Sequence, residues 1–276
     1  MKSAGNIPPC RFEWAALSDI GQRRKNNEDS WGVFRLGGGK AEPLQASPVA
    51  IPEHGLLLIM SDGMGGTRAG EEASRFCVDR LSAELAARAA GPGDRGGKLR
   101  EAFIATHEAL VGRSRTQDDW AGMGATLSAL WIQPAGETVL GHVGDSRVYA
   151  LHGGELRQLS EDHSIGASMV RRGEMSAEAV TRLKFRSLLE QAMGADGSPI
   201  EPQISVGSTE AGGEFALCSD GLYGPLRDRV EPALRRAFNQ RSLASAAAEL
   251  IAAANEAGGP DNITVILARL VPAPEA

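Results

Sequence analysis

The 276-residue sequence predicts an α+β fold, in which helices cover antiparallel β-sheet. Residues 56–60 are five consecutive apolar residues and indicate a strand buried on both faces, because no polar residue alternates with them. Short apolar runs between 126 and 159 are separated by turn residues, a spacing typical of β-hairpins. Strands and helices do not alternate regularly along the chain, which argues against a doubly wound parallel sheet.

The first half of the chain predicts three strands and two helices. Residues 11–17 and 31–36 form the first two predicted strands, and a polar, highly charged loop over 19–29 separates them. Residues 37–55 lack periodicity, so we expect an exposed insertion between paired strands. After the buried strand, apolar residues at helical spacing predict helices over 69–88 and 98–111.

The second half predicts hairpins, a lid and a closing βαβ segment. Strands are expected over 126–132, 138–143, 147–151 and 155–159. Residues 162–200 are polar and irregular, with short helical pieces at 167–172 and 177–183, as in a functional lid or a loop excursion. Strands at 204–206 and 214–218 follow, then a helix capped by Ser242 and reaching about Glu256, and a last strand at 263–267. We expect one domain over 11–270, with tails at 1–10 and 271–276.

Composition narrows the class of protein. The net charge is −6 and no basic run is present, which argues against nucleic-acid binding. The three cysteines, Cys10, Cys77 and Cys218, form neither a disulfide framework nor a zinc spacing, so a reducing compartment is favoured. No apolar run approaches about 18 residues and the start has no signal-peptide pattern. A soluble cytoplasmic protein is therefore expected.

Three aspartates stand at the ends of predicted buried strands. Asp62 follows the strand at 56–60, Asp220 follows the strand at 214–218, and Asp261 precedes the last strand. A single Asp-Gly pair is usually an ordinary turn, but three such placements are less readily explained by turns. If the three carboxylates converge, their repulsion requires a cation between them. Hard oxygen ligands without a nearby Cys or His cluster favour Mg²⁺ or Mn²⁺.

Six short motifs in one order carry a family resemblance. They are Gly21-x-x-Arg24-x-x-Asn27-Glu28-Asp29, Asp62-Gly63-Met64-Gly65-Gly66, Gly122-Met123-Gly124-Ala125-Thr126, Gly144-Asp145-Ser146-Arg147, Ser219-Asp220-Gly221 and Asp261-Asn262. Each motif alone is weak, but together they resemble the metal-dependent serine/threonine protein phosphatases of type 2C (PPM), in their bacterial form. The resemblance covers roughly residues 11–270.

The resemblance implies a four-layer αββα sandwich, two antiparallel β-sheets flanked by helix pairs, with a metal site at one end. It implies that Asp62 bridges two Mn²⁺ or Mg²⁺ ions and that the Gly63 carbonyl binds one of them. Asp220 and Asp261 would complete the ligands of the first ion, and Glu28 would bind the second. The resemblance also implies that Asp145 binds a third, weaker metal with help from Ser187. Asn262 would support the ligands without binding a metal itself. The alternative for Asp145 is an ordinary turn aspartate.

Catalysis is expected to use Arg24, Asp29 and Asp62. The Arg24 guanidinium offers two parallel donors to a phosphate, and family spacing selects it over its cationic neighbours. Asp29 would hold metal-bound waters or orient that arginine. Many animal members carry a histidine directly after the Asp-Gly pair, whereas Met64 stands there in this chain, so no general acid is assigned. His163, at the start of the lid, is the best outside candidate for that role.

The lid, about 163–194, is the expected specificity element. It carries five cations in an otherwise acidic protein, which suits an anionic phosphopeptide or, equally, a solvated surface. The cations are Arg171, Arg172, Arg182, Lys184 and Arg186.

The resemblance implies hydrolysis of phosphoserine and phosphothreonine in proteins by a water that bridges two Mn²⁺ or Mg²⁺ ions. The implied partners are phosphorylated proteins and a cognate serine/threonine kinase in signalling, with no nucleic acid and no membrane, and we expect a monomer. The alternatives are an inactive phosphoprotein-binding pseudophosphatase, which the intact acidic set disfavours, and a phosphatase of small phosphomonoesters. A calcium-stabilised structural domain lacks the required ligand spacing.

Overall fold

The computed structural model describes residues 10–64 and 68–273, so Gly65 and Gly66 of the second motif and the predicted tail residues 1–9 and 274–276 lie outside the described residues. The strands in chain order are β1 (Cys10–Asp19), β2 (Asp29–Gly37), β3 (Lys40–Pro43), β4 (Val49–Ala50), β5 (Leu56–Met64), β6 (Gly124–Ala125), β7 (Leu127–Ile132), β8 (Glu137–Val143), β9 (Arg147–His152), β10 (Glu155–Gln158), β11 (Met193–Gly194), β12 (Gln203–Ser208), β13 (Glu214–Cys218) and β14 (Ile263–Pro272).

The helices in chain order are α1 (Arg68–Ala89), α2 (Arg95–Ser114), α3 (Ile165–Arg171), α4 (Ala177–Val180), α5 (Asp220–Leu226), α6 (Val230–Phe238) and α7 (Leu243–Glu256). Short 3₁₀ turns lie at Asp118–Trp120 and Arg227–Arg229. In the described chain, no helix is both long enough and apolar enough to cross a membrane.

The strands form two antiparallel sheets. One runs in the order β10-β9-β13-β14-β1-β4. The other runs β11-β6-β5-β7-β8-β12, and β2 joins it through β5 and carries β3 on its outer side. Helices α1 and α2 pack on the second sheet, while α5, α6 and α7 pack on the first. The predicted four-layer αββα sandwich is therefore confirmed.

The apolar run in β5 is explained by these layers. Leu56, Leu58 and Met60 lie in the core between the two sheets, whereas Leu57 and Ile59 pack under the helices. All five side chains are fully buried, so both faces of the strand must be apolar. The same alternation in β14 places its residues in the two different cores. This arrangement fixes the carboxyl end of β5 in the interior, where Asp62 begins the site.

The segment 37–55 is more ordered than expected. Instead of a purely exposed insertion, β3 extends a hairpin with β2, and β4 pairs with β1 at the edge of the other sheet. Trp14 donates from its indole Nε1 to the Ala46 carbonyl at 3.1 Å, and Ser47 Oγ accepts from the Trp14 backbone N–H at 2.9 Å. The segment therefore covers a strand edge that water or another chain would otherwise reach.

Two helices, α5 and α6, were not predicted. The glycines and Pro225 within α5 conceal it, because these residues normally interrupt a helix. Helix α6 carries a regular apolar face of Val230, Leu234 and Phe238, which is a helical signal. The predicted Ser242 cap of α7 is confirmed, since Ser242 Oγ accepts from the Ser245 N–H at 3.2 Å. The last strand is longer than predicted and runs to Pro272, into the expected tail.

The lid folds as α3, α4 and β11, where α3 begins two residues before the predicted helical piece and α4 ends three residues before the predicted end of the next one. It is closed at its base by backbone hydrogen bonds: His163 N–H donates to the Gly144 carbonyl at 2.7 Å, and Glu190 N–H donates to the His163 carbonyl at 2.8 Å. Ile165 N–H also donates to the Leu188 carbonyl at 2.9 Å. These bonds hold the returning lid segment beside the site.

Candidate active site

The predicted acidic residues meet at one end of the sandwich. Asp62 lies near the end of β5, and Asp29, the first residue of β2, is its direct partner in the strand register. Asp220 begins α5, and Asp261 precedes β14. A cavity of about 290 Å³, called here the site cavity, opens between them. Its lining residues are Arg24, Glu28, Asp62, Gly63, Met64, Thr126, Asp145, Ser187, Leu189, Asp220 and Asp261.

Burial and mutual repulsion raise the pKa of several of these carboxyls. The pKa of Asp62 is raised well above its ordinary value, first by burial and then by the charges of Asp29 and Asp220. Burial and the Asp220 charge raise the pKa of Asp145 to about 7. Burial and the Asp261 charge raise the pKa of Asp220 to about 6. Such a cluster is stabilised by any cation that enters it.

Asp29 lies behind the site cavity and is held on one side only. Its Oδ2 accepts hydrogen bonds from Ser219 Oγ at 2.8 Å and from Thr264 Oγ1 at 2.6 Å. Its buried Oδ1 has no hydrogen-bond partner among the described residues. Burial raises the pKa of Asp29 to about 7 against the lowering effect of the two hydroxyls. Asp29 therefore presents one oxygen without a donor beside Asp62.

Glu28 and Gly63 are placed by close packing against α1. The Gly63 N–H donates to the Glu28 carbonyl at 3.1 Å, and Asn26 Nδ2 donates to Glu28 Oε1 at 3.1 Å. A Cβ on Gly63 would lie only 2.0 Å from the Gly70 carbonyl oxygen, so only glycine allows this approach. The Gly63 peptide is thereby brought to the cavity wall.

Arg24 lies at the mouth of the cavity and pairs with an acid of the site. Its Nη2 donates to Asp261 Oδ2 at 2.5 Å, and its Nη1 lies 3.9 Å from Glu28 Oε2. Gly21, with φ of 77°, allows the arginine-bearing loop to lie against the Asp261 segment, because a Cβ there would lie 2.1 Å from the Asp261 carbonyl oxygen. Sequence spacing selected Arg24, and the structure puts it beside the carboxylates.

Asn262 joins the site segments and does not line the cavity. Its Oδ1 accepts from the Glu28 N–H at 2.8 Å, while its Nδ2 donates to the carbonyls of Ile20 at 3.0 Å and Asn26 at 2.9 Å. One buried amide therefore fixes the loop that carries Arg24 and Glu28 onto the start of β14.

Asp145 is positioned by a stacked arginine. Arg147 Nη2 donates to Asp162 Oδ2 at 2.8 Å, and the guanidinium lies 3.7 Å from the centre of the Tyr223 ring. The Tyr223 hydroxyl in turn donates to the Asp145 carbonyl at 2.9 Å. The loop that holds Asp145 is thus connected to the base of the lid and to α5.

Sequence reasoning missed three hydroxyl residues that support the aspartates. Thr126 Oγ1 accepts from the Asp62 N–H at 2.9 Å, and Ser219 and Thr264 hold Asp29 as described above. Thr126 and Ser219 belong to the quoted motifs, so their positions in the sequence could have indicated a role in the site. Thr264 carried one weak signal, a hydroxyl within the otherwise apolar predicted strand 263–267.

His163, the outside candidate for a proton donor, does not reach the site cavity. His163 is buried outside the site-cavity lining, where its Nδ1 accepts from the Gly144 N–H at 3.3 Å and its ring lies 5.0 Å from that of His142. Burial lowers the pKa of His163. Met64 lines the cavity and offers no proton.

The lid contributes Ser187 and Leu189 to the site cavity. Three of its five cations are paired with acids: Arg171 with Glu161, Arg172 with Glu174 and Arg182 with Glu178. Arg186 lines a neighbouring cavity instead. Of the five cations, Lys184 and Arg186 therefore form no ion pair in the described chain, and Arg186 is the one that lines a cavity beside the site.

The residues present fit hard divalent cations. Besides Asp29 Oδ1, the buried Asp220 Oδ1 has no hydrogen-bond partner in the described chain. All donors are oxygens, the ligands that Mg²⁺ and Mn²⁺ prefer. Within residues 10–64 and 68–273, no three Asp, Glu, His or Cys side chains are arranged to hold an ion by themselves. The donor set thus suits ions that retain water ligands, as Mg²⁺ commonly does.

Comparison with known proteins agrees with this geometry. The family profile described as protein phosphatase 2C matches residues 46–258. The serine/threonine protein phosphatase PstP of Mycobacterium tuberculosis is 35% identical over 261 residues, which are 94% of this chain and 45% of PstP. This chain therefore spans about half the length of that relative. The serine/threonine phosphatase stp of Listeria welshimeri is 34% identical over 258 residues, 91% of this chain and 92% of stp.

A solved structure shows the same fold. The catalytic domain of PstP, crystallised in complex with two manganese ions, superposes with a TM-score of 0.75 at 34% identity, covering 95% of this chain and 99% of that domain. The profile matches well over half of the chain, and the Listeria relative, at 34% identity, is matched over 92% of its length. This chain belongs to the protein phosphatase 2C family.

Proposed function

We propose that the protein hydrolyses phosphoserine and phosphothreonine in proteins with the aid of two Mn²⁺ or Mg²⁺ ions. The observation that carries the proposal is the meeting of Asp62, Asp220, Asp261 and Glu28 with Arg24 in one cavity of about 290 Å³. The family and the manganese ions bound by the PstP catalytic domain support it. The protein would act against a serine/threonine kinase, as a monomer in the cytoplasm, where its buried Cys77 and Cys218 remain thiols.

Metal ions would be held chiefly by the aspartates. Asp62, Asp220 and Asp261 would hold one ion, and Asp62, Glu28 and the Gly63 carbonyl would hold the other. Asp145 and Ser187 would serve a third ion. When bound, such ions would supply Lewis acidity to the phosphoryl group and to the attacking water.

Asp29 would act on water through its free oxygen. The two hydroxyls on Oδ2 fix the carboxylate plane, so that Oδ1 is the oxygen left to accept from a water beside Asp62. A positioned acceptor of this kind orients a nucleophile at little entropic cost during the reaction.

Arg24 would bind the substrate phosphate. Its guanidinium is about half exposed, and its donor to Asp261 is a single charged hydrogen bond. A phosphate can accept two parallel hydrogen bonds from the same group. Occupation of Asp261 by a cation would leave Arg24 without its partner and available to that phosphate.

The test is hydrolysis of a phosphothreonine peptide by the purified protein, first with EDTA and then with Mn²⁺ or Mg²⁺ restored. We expect turnover only with metal. The matched variants are Asp62→Asn, which should be inactive, and Asp118→Asn, an exposed aspartate outside the site cavity, which should behave as wild type. A folded wild-type protein that binds the peptide without turnover in either ion would instead establish a phosphoprotein-binding module. Turnover of p-nitrophenyl phosphate but not of the peptide would favour a small phosphomonoester.

A further inference from the structure

A second, larger cavity lies directly beside the site cavity. It has a volume of about 850 Å³, and Asp220 and Asp261 line both cavities. Arg186 lines the second cavity, while the next residue, Ser187, lines the first. The two cavities are therefore contiguous across the edge of the lid. A substrate chain whose phosphate enters the site cavity can extend into the second one.

Four arginines contribute to the wall of this second cavity, which we call the arginine groove. They are Arg23, Arg186, Arg227 and Arg229. They come from three separate parts of the chain: the loop after β1, the lid, and the 3₁₀ turn after α5. Their convergence is a property of the fold that is not visible as a basic run in the sequence.

The groove arginines lack acidic partners. Arg186 and Arg229 donate only to backbone carbonyls, of Leu183 at 3.2 Å and Pro225 at 3.5 Å respectively. In the described chain, none of the four forms an ion pair within 4.0 Å of a carboxylate, although three acids, Asp220, Asp228 and Asp261, also line the groove. Other lid arginines do form such pairs, as Arg182 does with Glu178. Guanidinium groups left unpaired in a concave site favour an anion with suitable acceptors.

One groove arginine is held in a backbone conformation that favours glycine. Arg227 has φ of 52° and ψ of −126°, close to the first central position of a type II′ turn. A non-glycine residue in this region is strained, and such strain is common at ligand-binding positions. Its backbone N–H donates to the Tyr223 carbonyl at the end of α5, which fixes the turn. The conformation thus presents an arginine at a point where glycine would fit more easily.

We propose that the arginine groove binds a second anionic group of the substrate, carried on the same chain as the phosphate to be removed. This inference rests on the proposed phosphatase function and specifies its substrate class: phosphopeptides with acidic or additionally phosphorylated flanks. A cavity of this volume is roughly 9 Å across, the length of about three residues of extended chain. The second anion is therefore expected within about three residues of the phosphothreonine.

The first experiment compares four phosphothreonine peptides that differ only in their flanks. One is neutral, one carries glutamates on the amino-terminal side, one carries them on the carboxyl-terminal side, and one carries a non-hydrolysable phosphonate analogue of phosphoserine. For the wild-type protein we expect kcat/KM to be about tenfold higher for at least one anionic peptide than for the neutral one, since a few partly exposed charge pairs contribute this much. The preference should decrease with added salt. Preference for glutamate identifies acidic flanks, and preference for the phosphonate alone identifies a second phosphate.

The second experiment uses variants of the groove. Arg227→Gly removes the charge and relieves the backbone strain, so it should fold at least as well as wild type. Arg229→Gln removes the charge of the second arginine but keeps a polar side chain, and the double variant combines the two substitutions. In the double variant, the ratio of kcat/KM between the anionic and neutral peptides should fall to within about twofold of one. Arg182→Gln removes an arginine of the lid that lines neither cavity, and its ratio should remain that of wild type.

Measurements of peptide affinity distinguish an error in the proposed role of the groove from an error in the proposed function. Labelled peptides that carry a phosphonate in place of phosphothreonine report affinity by fluorescence anisotropy, with or without turnover. Tighter binding of the anionic peptide that is lost in the double variant supports the groove even if no peptide is hydrolysed. Equal affinity and equal kcat/KM for neutral and anionic peptides overturn the proposal even if the protein is an active phosphatase. An unchanged ratio in the folded double variant overturns it as well.

Discussion

Asp29 and Asp62 lie directly opposite each other on the antiparallel strands β2 and β5. Like charges at opposing positions of a sheet destabilise it, and burial increases the effect. The pairing shows that the strand register itself brings two acids together, with Asp220 and Asp261 added from other elements. The fold therefore holds mutually repelling carboxylates together at the point where we propose that cations bind.

The Asp62→Asn substitution should separate stability from activity. Because it removes one charge from a repelling cluster, we expect the free energy of unfolding of the metal-free protein to rise by about 1 kcal/mol. Peptide hydrolysis should fall by about two orders of magnitude or more. Chemical denaturation in EDTA and steady-state kinetics in Mn²⁺ measure the two effects. Asp118→Asn is the control, and undiminished activity of Asp62→Asn would contradict the assigned role of Asp62.

The Arg24→Ala substitution should weaken substrate binding without weakening metal binding. Loss of charged hydrogen bonds to phosphate should lower kcat/KM by about 10- to 100-fold. Metal affinity should stay equal or increase, because Asp261 loses the partner that competes with the cation. Isothermal titration with Mn²⁺ and peptide kinetics are the measurements. Lys25→Ala serves as a control for charge in the same loop, and a large loss of metal affinity in Arg24→Ala would refute the role.

The Thr264→Val substitution tests the support of Asp29. Valine is close in volume to threonine but has no hydroxyl, so the substitution removes one of the two donors to Asp29 Oδ2. It also removes a hydroxyl contact with Ser18 Oγ at 2.7 Å. We expect the free energy of unfolding to decrease by about 1–2 kcal/mol and activity to decrease with it. Thr116→Val, which changes an exposed hydroxyl, should do neither. Activity equal to wild type would show that the Asp29 carboxylate needs no second donor.

Glu214 gives a pH dependence that is independent of the metal site. Burial raises its pKa to about 7, against the opposing charge of Arg269. The folded state then keeps the proton that the unfolded chain loses near pH 4.5, so the contribution of Glu214 to the free energy of unfolding decreases as pH rises from about 4.5 to 7 and is constant above. Since Glu214 is only half buried, solvent screening limits the effect to about 1 kcal/mol.

The Glu214→Gln substitution should remove the part of the decrease that is due to Glu214. Besides Arg269, which also pairs with Glu13 at 2.7 Å, no other charged group is placed against Glu214 by the contacts of the described chain. Urea denaturation of wild type and variant at pH 4.5, 6 and 7.5 gives the comparison, with the exposed Glu210→Gln as control. A difference between wild type and Glu214→Gln that does not change with pH would rule out titration of Glu214 as the cause.

The fold was predictable where burial leaves a direct pattern in the sequence. Residues 56–60 are apolar on both faces because they lie between two layers, and Ser242 caps its helix by a local hydrogen bond. Helix α5 was hidden by Gly221, Gly224 and Pro225, which oppose its local propensity and are tolerated through tertiary packing. Register and sheet order depend on contacts between distant residues, which no local pattern contains.

The site was predictable to a similar degree. Motif spacing placed most of the acids and Arg24, and the structure brings them to one cavity. The donors to Asp29 could not be placed, because Ser219 and Thr264 reach it from segments far away in the chain. The arginine groove could not be predicted either, since its members are dispersed and each resembles an ordinary surface cation.

The pairing of β1 with β14 has a consequence for biosynthesis. These strands match over ten residues, from Cys10 with Pro272 to Asp19 with Ile263, and Ser18 and Thr264 stand 246 positions apart in the chain. Such non-local contacts form late, since loop closure must precede them. While the ribosome is still extending the polypeptide, β1 lacks its neighbour and Asp261 is missing from the acidic cluster. The acidic cluster is therefore complete only after the segment through β14 has been synthesised, and the hydrolysis proposed above would begin only then.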